Sequence, residues 1–104
     1  MQNLTFNEYK EILSQDKVLI IDFLASWCGP CKMFAPVFEK VAEELGDKFA
    51  FAKVDVDNQQ QIAIENKIYT IPTLVITKNG VEIARKSGYM NEAELKSFIL
   101  NNVQ

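Results

Sequence analysis

The residues with the clearest chemical potential in this chain are two cysteines separated by two positions. Cys28 and Cys31 stand in the segment Trp27-Cys28-Gly29-Pro30-Cys31-Lys32, and the 104-residue sequence contains no other cysteine. Two thiols at this spacing can close a disulfide and reopen it by exchange with a disulfide of another molecule. The pair therefore predicts thiol–disulfide chemistry.

Two other interpretations of the cysteine pair compete with the redox interpretation. A structural zinc site usually requires four cysteine or histidine ligands. This sequence holds two cysteines and no histidine, so we expect no metal. A pair of inert, buried thiols would not need Trp, Gly and Pro around it at the start of a helix, a setting that favours reactive cysteines.

The position of the pair between a strand and a helix predicts different roles for the two thiols. A cysteine just ahead of a helix lies near unpaired backbone N–H groups and the positive end of the helix dipole, which stabilise a thiolate. We therefore expect Cys28 to be the nucleophile. Cys31, in the first turn and more shielded, is placed to attack the mixed disulfide that Cys28 forms with a substrate.

Apolar periodicity predicts the elements that must position this pair. Helices are expected over residues 6–14, 31–45 and 59–65 and after Asn91, and strands over 18–23, 49–54, 73–77 and 81–87. The dipeptide Asn79-Gly80 indicates a hairpin, so the last two strands should be antiparallel. The order of elements predicts an α/β fold in which a central mixed sheet is flanked by helices on both faces.

Local signals predict where the helices begin. Thr5 and Glu8 have the spacing of a capping box, and Asn91 can cap the last helix. Asp57 or Asn58 is the expected cap of the third helix.

The second helix carries most of the expected core residues near the cysteines. Helical spacing predicts that Met33, Phe34 and Phe38 are buried. Pro36 removes one backbone donor and should kink this helix rather than end it, because the apolar periodicity continues to Gly46.

Composition limits the class of protein. The length and the hydrophobic fraction of 48% fit a single domain, residues 1–104. No apolar run is long enough for a membrane span and the N-terminus does not resemble a signal peptide, so we expect a cytoplasmic protein. A net charge of -3 argues against nucleic-acid binding. A group of acids should be a solvated helix face: Glu39, Glu43, Glu44 and Asp47.

Asp22 is a lone carboxylate near the end of an otherwise apolar strand that leads to the cysteines. Desolvation would raise its pKa and make it a candidate proton carrier for Cys31. A solvated aspartate at the end of a strand is equally consistent with the residues alone.

The cysteine segment resembles the active-site hexapeptide of the thioredoxin family, and the resemblance extends over nearly the whole chain. The further matches are Asp22-Phe23, Pro36, Lys53-Val54-Asp55, Thr70-Ile71-Pro72-Thr73, Asn79-Gly80 and Gly88. The resemblance implies the thioredoxin fold and the reduction of protein disulfides without a bound cofactor. It also implies regeneration by thioredoxin reductase, which carries a flavin and draws on NADPH.

The same resemblance implies roles for residues around the cysteines. Asp22 matches the buried aspartate of the family, and Lys53 matches a lysine near that aspartate. Pro72 matches a cis proline that lies against the dithiol and lets the backbone of the preceding residue, here Ile71, pair with an extended substrate segment. A flat, mostly uncharged substrate surface would consist of Trp27, Gly29, Pro30, Ile71, Pro72 and Gly88.

Some positions depart from the pattern of the family. Leu24 stands where many bacterial members have a second tryptophan, and Tyr69-Thr70 and Tyr89 replace other residues beside the substrate surface. These departures leave open which partners the protein prefers, but they do not change the expected chemistry of the cysteines. The first edge strand of the family is expected to be reduced to Asn3-Leu4 or missing.

Two alternatives to the reductase remain. The same fold can host a disulfide oxidant or isomerase, although Gly29-Pro30 resembles the reducing members, whereas strong oxidants typically carry a histidine between the cysteines. The second alternative is a binding module that uses the fold for protein contacts, with a dithiol that is idle or serves only to switch complexes. Nothing in the sequence demands more than a monomer.

Overall fold

The computed structural model describes residues 4–103, and it contains the elements in the predicted order. They are α1 (Phe6–Leu13), β1 (Val18–Leu24), α2 (Gly29–Leu45), β2 (Ala50–Asp55), α3 (Gln60–Glu65), β3 (Thr73–Lys78), β4 (Val81–Ser87) and α4 (Glu92–Asn102). In this described range, no helix combines the length and the apolarity that a bilayer crossing requires.

The four strands form one mixed sheet in the order β2-β1-β3-β4. β1 pairs with β2 in parallel and with β3 antiparallel, and β3 pairs with β4 antiparallel, as the hairpin signal predicts. In this register Asp22 on β1 lies beside Lys53 on β2 and Leu74 on β3. The predicted mixed sheet is confirmed.

Side chains of β1 alternate between two cores because successive residues of a strand point to opposite faces. Leu19, Ile21 and Phe23 belong to the core that includes Tyr9 of α1 and Ile62 of α3. Ile20 belongs to the other core, which includes Phe38 of α2 and Ile99 of α4. Helices therefore cover both faces, and Asp22, two residues from Ile20, lies on the face covered by α2.

The outer helices begin with the predicted caps. The Thr5 side chain accepts from the backbone N–H of Glu8, while the Glu8 carboxylate accepts from the N–H of Thr5. Asn91 and Glu94 make the same reciprocal pair at the start of α4, at 2.8 and 3.0 Å. Both ends are fully developed capping boxes.

The start of α2 and the start of α3 differ from the predictions. α2 begins at Gly29, two residues earlier than expected, with Cys28 as its cap, and it runs through Pro36 without ending. Neither Asp57 nor Asn58 caps α3, which begins after Gln59 without a side-chain cap. The two expected caps are held in a turn instead, because the Asp55 carboxylate accepts both of their backbone N–H groups.

The burial of α2 confirms two of three predicted core residues. Phe34 and Phe38 are fully buried, but Met33 is 65% exposed. The buried positions of α2 follow a narrow stripe, and Met33 lies one residue, about 100° around the helix, away from Phe34. The acidic residues of α2 and of the turn after it are exposed, as predicted: Glu39, Glu43, Glu44 and Asp47.

The N-terminal edge of the sheet is reduced to one contact among the described residues. Asn3 lies outside them, so the prediction for this residue has no outcome. Leu4 is buried, and its N–H donates to the carbonyl of Lys53 on β2 at 3.0 Å. The described chain thus keeps one sheet-like hydrogen bond on the outer side of β2 without an assigned strand there.

Candidate redox site

Cys28 and Cys31 are joined by a disulfide at the start of α2, with their Cα atoms 5.2 Å apart. Cys28 is the N-cap residue, and its Sγ accepts the backbone N–H of Cys31 at 3.2 Å. A sulfur thus occupies the place where a serine or aspartate oxygen normally caps a helix. This contact and the helix dipole both favour negative charge on Cys28.

The two cysteines differ little in exposure. Cys28 is 5% exposed and Cys31 is 3% exposed, so the expected shielding of Cys31 is present only by a small margin. Both pack with Ala25, and Leu24 and Ile71 lie against the cluster. What distinguishes the two thiols is therefore the cap position of Cys28 rather than its access to solvent.

Asp22 is fully buried, which rules out the solvated alternative. Neither of its carboxylate oxygens has a hydrogen-bond partner in the described structure. Burial raises the pKa of Asp22 to about 7, the positive charge of Lys53 opposes this rise, and the negative charge of Glu39 adds to it. The carboxyl group can therefore gain or lose a proton near neutral pH.

Lys53 lies beside Asp22 in the sheet, as the resemblance implies, but its ion pair is with another residue. Its Nζ is 3.4 Å from Oε1 of Glu39 on α2. The sequence assigned Glu39 only to a solvated acidic face, so this neighbour of the site was missed. The sequence offered only a weak signal, because Glu39 follows Cys31 by eight residues and so lies about two turns along α2 and about 80° around it from Cys31.

A cavity of about 290 Å³ extends beside the cysteines on the α2 side of the sheet. Its lining joins the dithiol to the lysine of β2: Leu24, Ala25, Ser26, Cys31, Lys32, Ala35 and Lys53. Leu24, where the family pattern often has a tryptophan, forms part of this wall. A larger open groove of about 470 Å³ lies further along α2 and contains neither cysteine.

The loop before β3 carries the predicted cis proline. The Ile71–Pro72 bond is cis, and Ile71 packs against the cysteine cluster. The Gly88 N–H donates to the Pro72 carbonyl at 2.8 Å, and the Thr73 hydroxyl donates to the Thr70 carbonyl at 2.7 Å. These bonds hold the loop and Gly88 together beside the dithiol.

Aromatic side chains border the same surface. Trp27 is 69% exposed, in line with the expected surface position, and its Nε1 donates to Oδ2 of Asp57 at 2.8 Å. Tyr69 and Tyr89 are also exposed, and the Tyr89 ring meets Phe34 edge-on at 6.3 Å between centroids. Two departures from the family pattern thus present exposed aromatic rings, at Tyr69 and Tyr89, whereas Leu24 is aliphatic where the family often has a tryptophan.

Residues 4–103 contain no group of three or more His, Cys, Asp or Glu side chains that could hold a metal ion. The reactive groups that the structure places at this site are the two sulfurs and the buried carboxyl group of Asp22. Two thiols can release two electrons by forming the disulfide observed here.

Comparison with known proteins gives consistent matches. A family model described as "Thioredoxin" matches residues 1–101. A thioredoxin of Malassezia sympodialis is 52% identical over 80 residues, which cover 76% of either chain. A crystal structure of the thioredoxin from that organism has a TM-score of 0.89 at 45% identity and covers 97% of this chain and 91% of its own. A Mycobacterium leprae protein named bifunctional thioredoxin reductase/thioredoxin is 39% identical over 87 residues. The matched segment covers 84% of this chain and 19% of the longer M. leprae protein.

Proposed function

The chain belongs to the thioredoxin family and is a protein-disulfide reductase, and from this premise we propose how its residues carry out the reaction. Reduced Cys28 and Cys31 pass two electrons to disulfides of other proteins, and Asp22 handles the proton of Cys31. The observation that carries this proposal is the disulfide at the start of α2 on the sheet face that also buries Asp22.

The first step is the attack of the Cys28 thiolate on one sulfur of a substrate disulfide. The substrate S–S bond breaks, a mixed disulfide forms between Cys28 and the substrate, and the first substrate thiolate leaves. The N-cap position supports Cys28 as the attacking group, because the N–H of Cys31 and the dipole of α2 both stabilise its anion.

The second step needs the proton of Cys31 to leave. Asp22 accepts this proton, Cys31 attacks Sγ of Cys28, and the bond from Cys28 to the substrate breaks. The substrate thiolates released in the first and second steps each take up one proton from solvent, so the substrate gains two electrons and two protons in total. A carboxyl group with a pKa of about 7 suits this task, because proton transfer is most efficient near the operating pH.

The substrate surface in this proposal lies around Cys28. The backbone of Ile71 pairs with an extended substrate segment, next to Pro72 and Gly88, as the family resemblance implies. Trp27 precedes Cys28 in the chain, and its hydrogen bond to Asp57 fixes the indole ring.

We propose that the electrons reach the dithiol from NADPH through thioredoxin reductase. The chain then acts in the cytoplasm as a single-domain monomer, and its role there is electron transport and redox homeostasis. The fusion of both activities in the Mycobacterium leprae relative supports the reductase as partner. The test is NADPH oxidation in a mixture of thioredoxin reductase, insulin and this chain. Oxidation no faster than without the chain would contradict the proposed partner.

A disulfide oxidant of the same fold is the nearest rival. Equilibration of the chain against a series of glutathione ratios measures which way the electrons flow. A dithiol that stays reduced under conditions that oxidise glutathione would favour the oxidant, whereas a strongly reducing dithiol supports the proposal.

A binding module with an idle dithiol is the second rival. We expect the chain to accelerate the reduction of insulin by dithiothreitol, followed by turbidity, and we expect Cys28→Ser to remove the acceleration. Cys28→Ser keeps the surface but lacks the nucleophile, so it serves as the matched control. Equal rates with the two proteins would support the binding module.

A further inference from the structure

Lys53 stands between two carboxylates that compete for its charge. It is the register neighbour of Asp22 in the sheet, and its side chain points to the α2 face, where Glu39 lies. The Lys53 side chain is 17% exposed and that of Glu39 is 52% exposed. The ion pair thus joins a mostly buried cation to an anion at the protein surface.

In the structure Lys53 is paired with Glu39 rather than with Asp22. Lys53 forms its ion pair with Glu39, while both oxygens of Asp22 are without a hydrogen-bond partner in the described part of the chain. A buried carboxylate without donors is costly, so such a group keeps its proton to a higher pH than an aspartate paired with a cation. The position of one ammonium group therefore adjusts how readily the buried Asp22 gives up its proton.

Few charged groups face Asp22. On β2 the neighbour is Lys53, and on β3 the register partner Leu74 is uncharged. On α2 the charge that acts on Asp22 is that of Glu39, with the Cys31 sulfur on the same helix when the dithiol is reduced. Burial has the largest effect on the pKa of the Asp22 carboxyl group, and the charges of one lysine and one surface glutamate adjust it in opposite directions.

We propose that Glu39 is a positioning residue for proton transfer at Cys31: by holding Lys53 along α2, it keeps the ammonium group from pairing with Asp22. The carboxyl group then remains able to take up and release a proton near neutral pH. Glu39 acts through Lys53 and does not touch the reacting sulfurs. This inference rests on the proposed role of Asp22 as the proton carrier.

The test is the titration of the Asp22 carboxyl group in Glu39→Gln, followed by the ¹³C chemical shift in the oxidised protein, where no thiol titrates. We expect the midpoint to fall by about one pH unit, because Lys53 is released towards Asp22 and one repelling charge is lost. The pH at which the rate of insulin reduction changes should fall with it. An unchanged midpoint would overturn the inference.

Two further variants separate the ion pair from a general effect of charge. Glu43→Gln removes the same charge one helical turn further along the exposed side of α2, and it should leave the Asp22 midpoint unchanged. In a Lys53→Met background, Glu39→Gln should shift the midpoint by less than half as much as in the wild type. A full shift in that background, or an equal shift in Glu43→Gln, would show that Glu39 does not act by holding Lys53.

Asp22→Asn distinguishes a failure of this inference from a failure of the proposed mechanism. If Asp22→Asn leaves the pH profile of insulin reduction unchanged, the proton-carrier role is wrong, and the inference falls with it. If Asp22→Asn changes the profile while Glu39→Gln keeps the wild-type midpoint, only the inference about Glu39 is wrong. Circular dichroism melting curves verify that each variant is folded.

Discussion

α2 and α4 pack on the same face of the sheet, but their N-terminal ends are built differently. The end of α4 carries Glu92 and Glu94 in its first turn, and the Asn91 side chain accepts a backbone N–H. The end of α2 has no acidic residue in its first turn, and its only side-chain cap is the sulfur of Cys28.

The difference shows how one local property of helices serves two purposes. A helix N-terminus attracts negative charge through its unpaired N–H groups and its dipole. α4 supplies that charge from its own carboxylates and gains stability. The first turn of α2 has no carboxylate of its own, so the thiolate of Cys28 becomes the charge that this helix stabilises. Asp22, buried on the same face, adds a carboxyl group that has no hydrogen-bond partner among residues 4–103. Substitutions at the N-terminal end of α2 should therefore change the redox reaction, and substitutions at the N-terminal end of α4 should change stability alone.

The largest effect is expected from replacing either cysteine. Cys28→Ser should reduce insulin reduction to the uncatalysed rate, because the thiol at the N-cap of α2 that attacks the substrate is lost. Cys31→Ser should also lose turnover but should accumulate a covalent adduct, because Cys28 still attacks and nothing resolves the mixed disulfide. Mass spectrometry after incubation with an excess of a disulfide peptide measures the adduct. The adduct forming on Cys28→Ser instead would reverse the assigned roles.

The next effect concerns Asp22 and the stability of the oxidised protein. The pKa of Asp22 is raised from 3.8 to about 7 in the folded protein. Between about pH 4 and pH 7 the carboxyl group is ionised in the unfolded chain but still protonated in the folded one, so the free energy of unfolding falls as the pH rises through this range. A difference of about 3 pH units corresponds to about 4 kcal/mol. Asp22→Asn stays neutral and should lack this loss.

Urea unfolding followed by circular dichroism between pH 4 and pH 9 measures this difference. We expect the wild type to fall behind Asp22→Asn increasingly above pH 5, with the full gap reached by pH 9. Parallel stability curves for the two proteins would mean that Asp22 is not desolvated as the structure indicates. Lys53→Met serves as a related control: without the Lys53 charge the pKa of folded Asp22 rises further, so the loss of stability should begin at the same pH and extend to higher pH.

A smaller effect is expected at α4. Asn91→Ala removes the side chain that accepts the N–H of Glu94 and should lower the free energy of unfolding by about 1 kcal/mol. Asn91→Asp keeps an acceptor and should retain most of the stability. Insulin reduction by both variants should equal that of the wild type. A clear loss of reductase activity in Asn91→Ala would show that the N-terminal ends of α2 and α4 are coupled, which would contradict the separate roles assigned to them.

The smallest effect is expected at the start of α1, on the opposite face of the sheet. The Thr5 hydroxyl accepts from Glu8 over 3.3 Å at an exposed site. Thr5→Ala should therefore cost about 0.5 kcal/mol, at the lower end for caps, and Thr5→Ser should cost less. The same unfolding measurements test both variants, and a loss larger than that of Asn91→Ala would contradict the ranking.

Features that depend on neighbours in the sequence were predicted well. The caps at Thr5 and Asn91 involve residues three positions apart, so their pattern is visible in the sequence. The hairpin at Asn79-Gly80 and the strand–helix junction at the cysteines are local for the same reason. These local signals account for the order of elements and for the placement of the dithiol.

Features that depend on distant residues were missed or needed the family resemblance. Asp57 was expected to cap α3, but its carboxylate binds the indole N–H of Trp27, thirty positions away. The pairing of Lys53 with Glu39 joins β2 to α2 and leaves no local pattern. From the residues alone, the burial of Asp22 was no better supported than exposure, because burial is decided by which helix covers the strand.

The indole of Trp27 also gives the molecule a built-in optical probe. It is the only tryptophan in the chain, it adjoins the nucleophilic cysteine, and a hydrogen bond anchors its ring to the turn after β2. Tryptophan emission from this protein therefore comes from a single indole, which adjoins the cysteine where electrons enter and leave. Each turnover, and each docking partner that covers the ring, can be followed in real time without an attached dye.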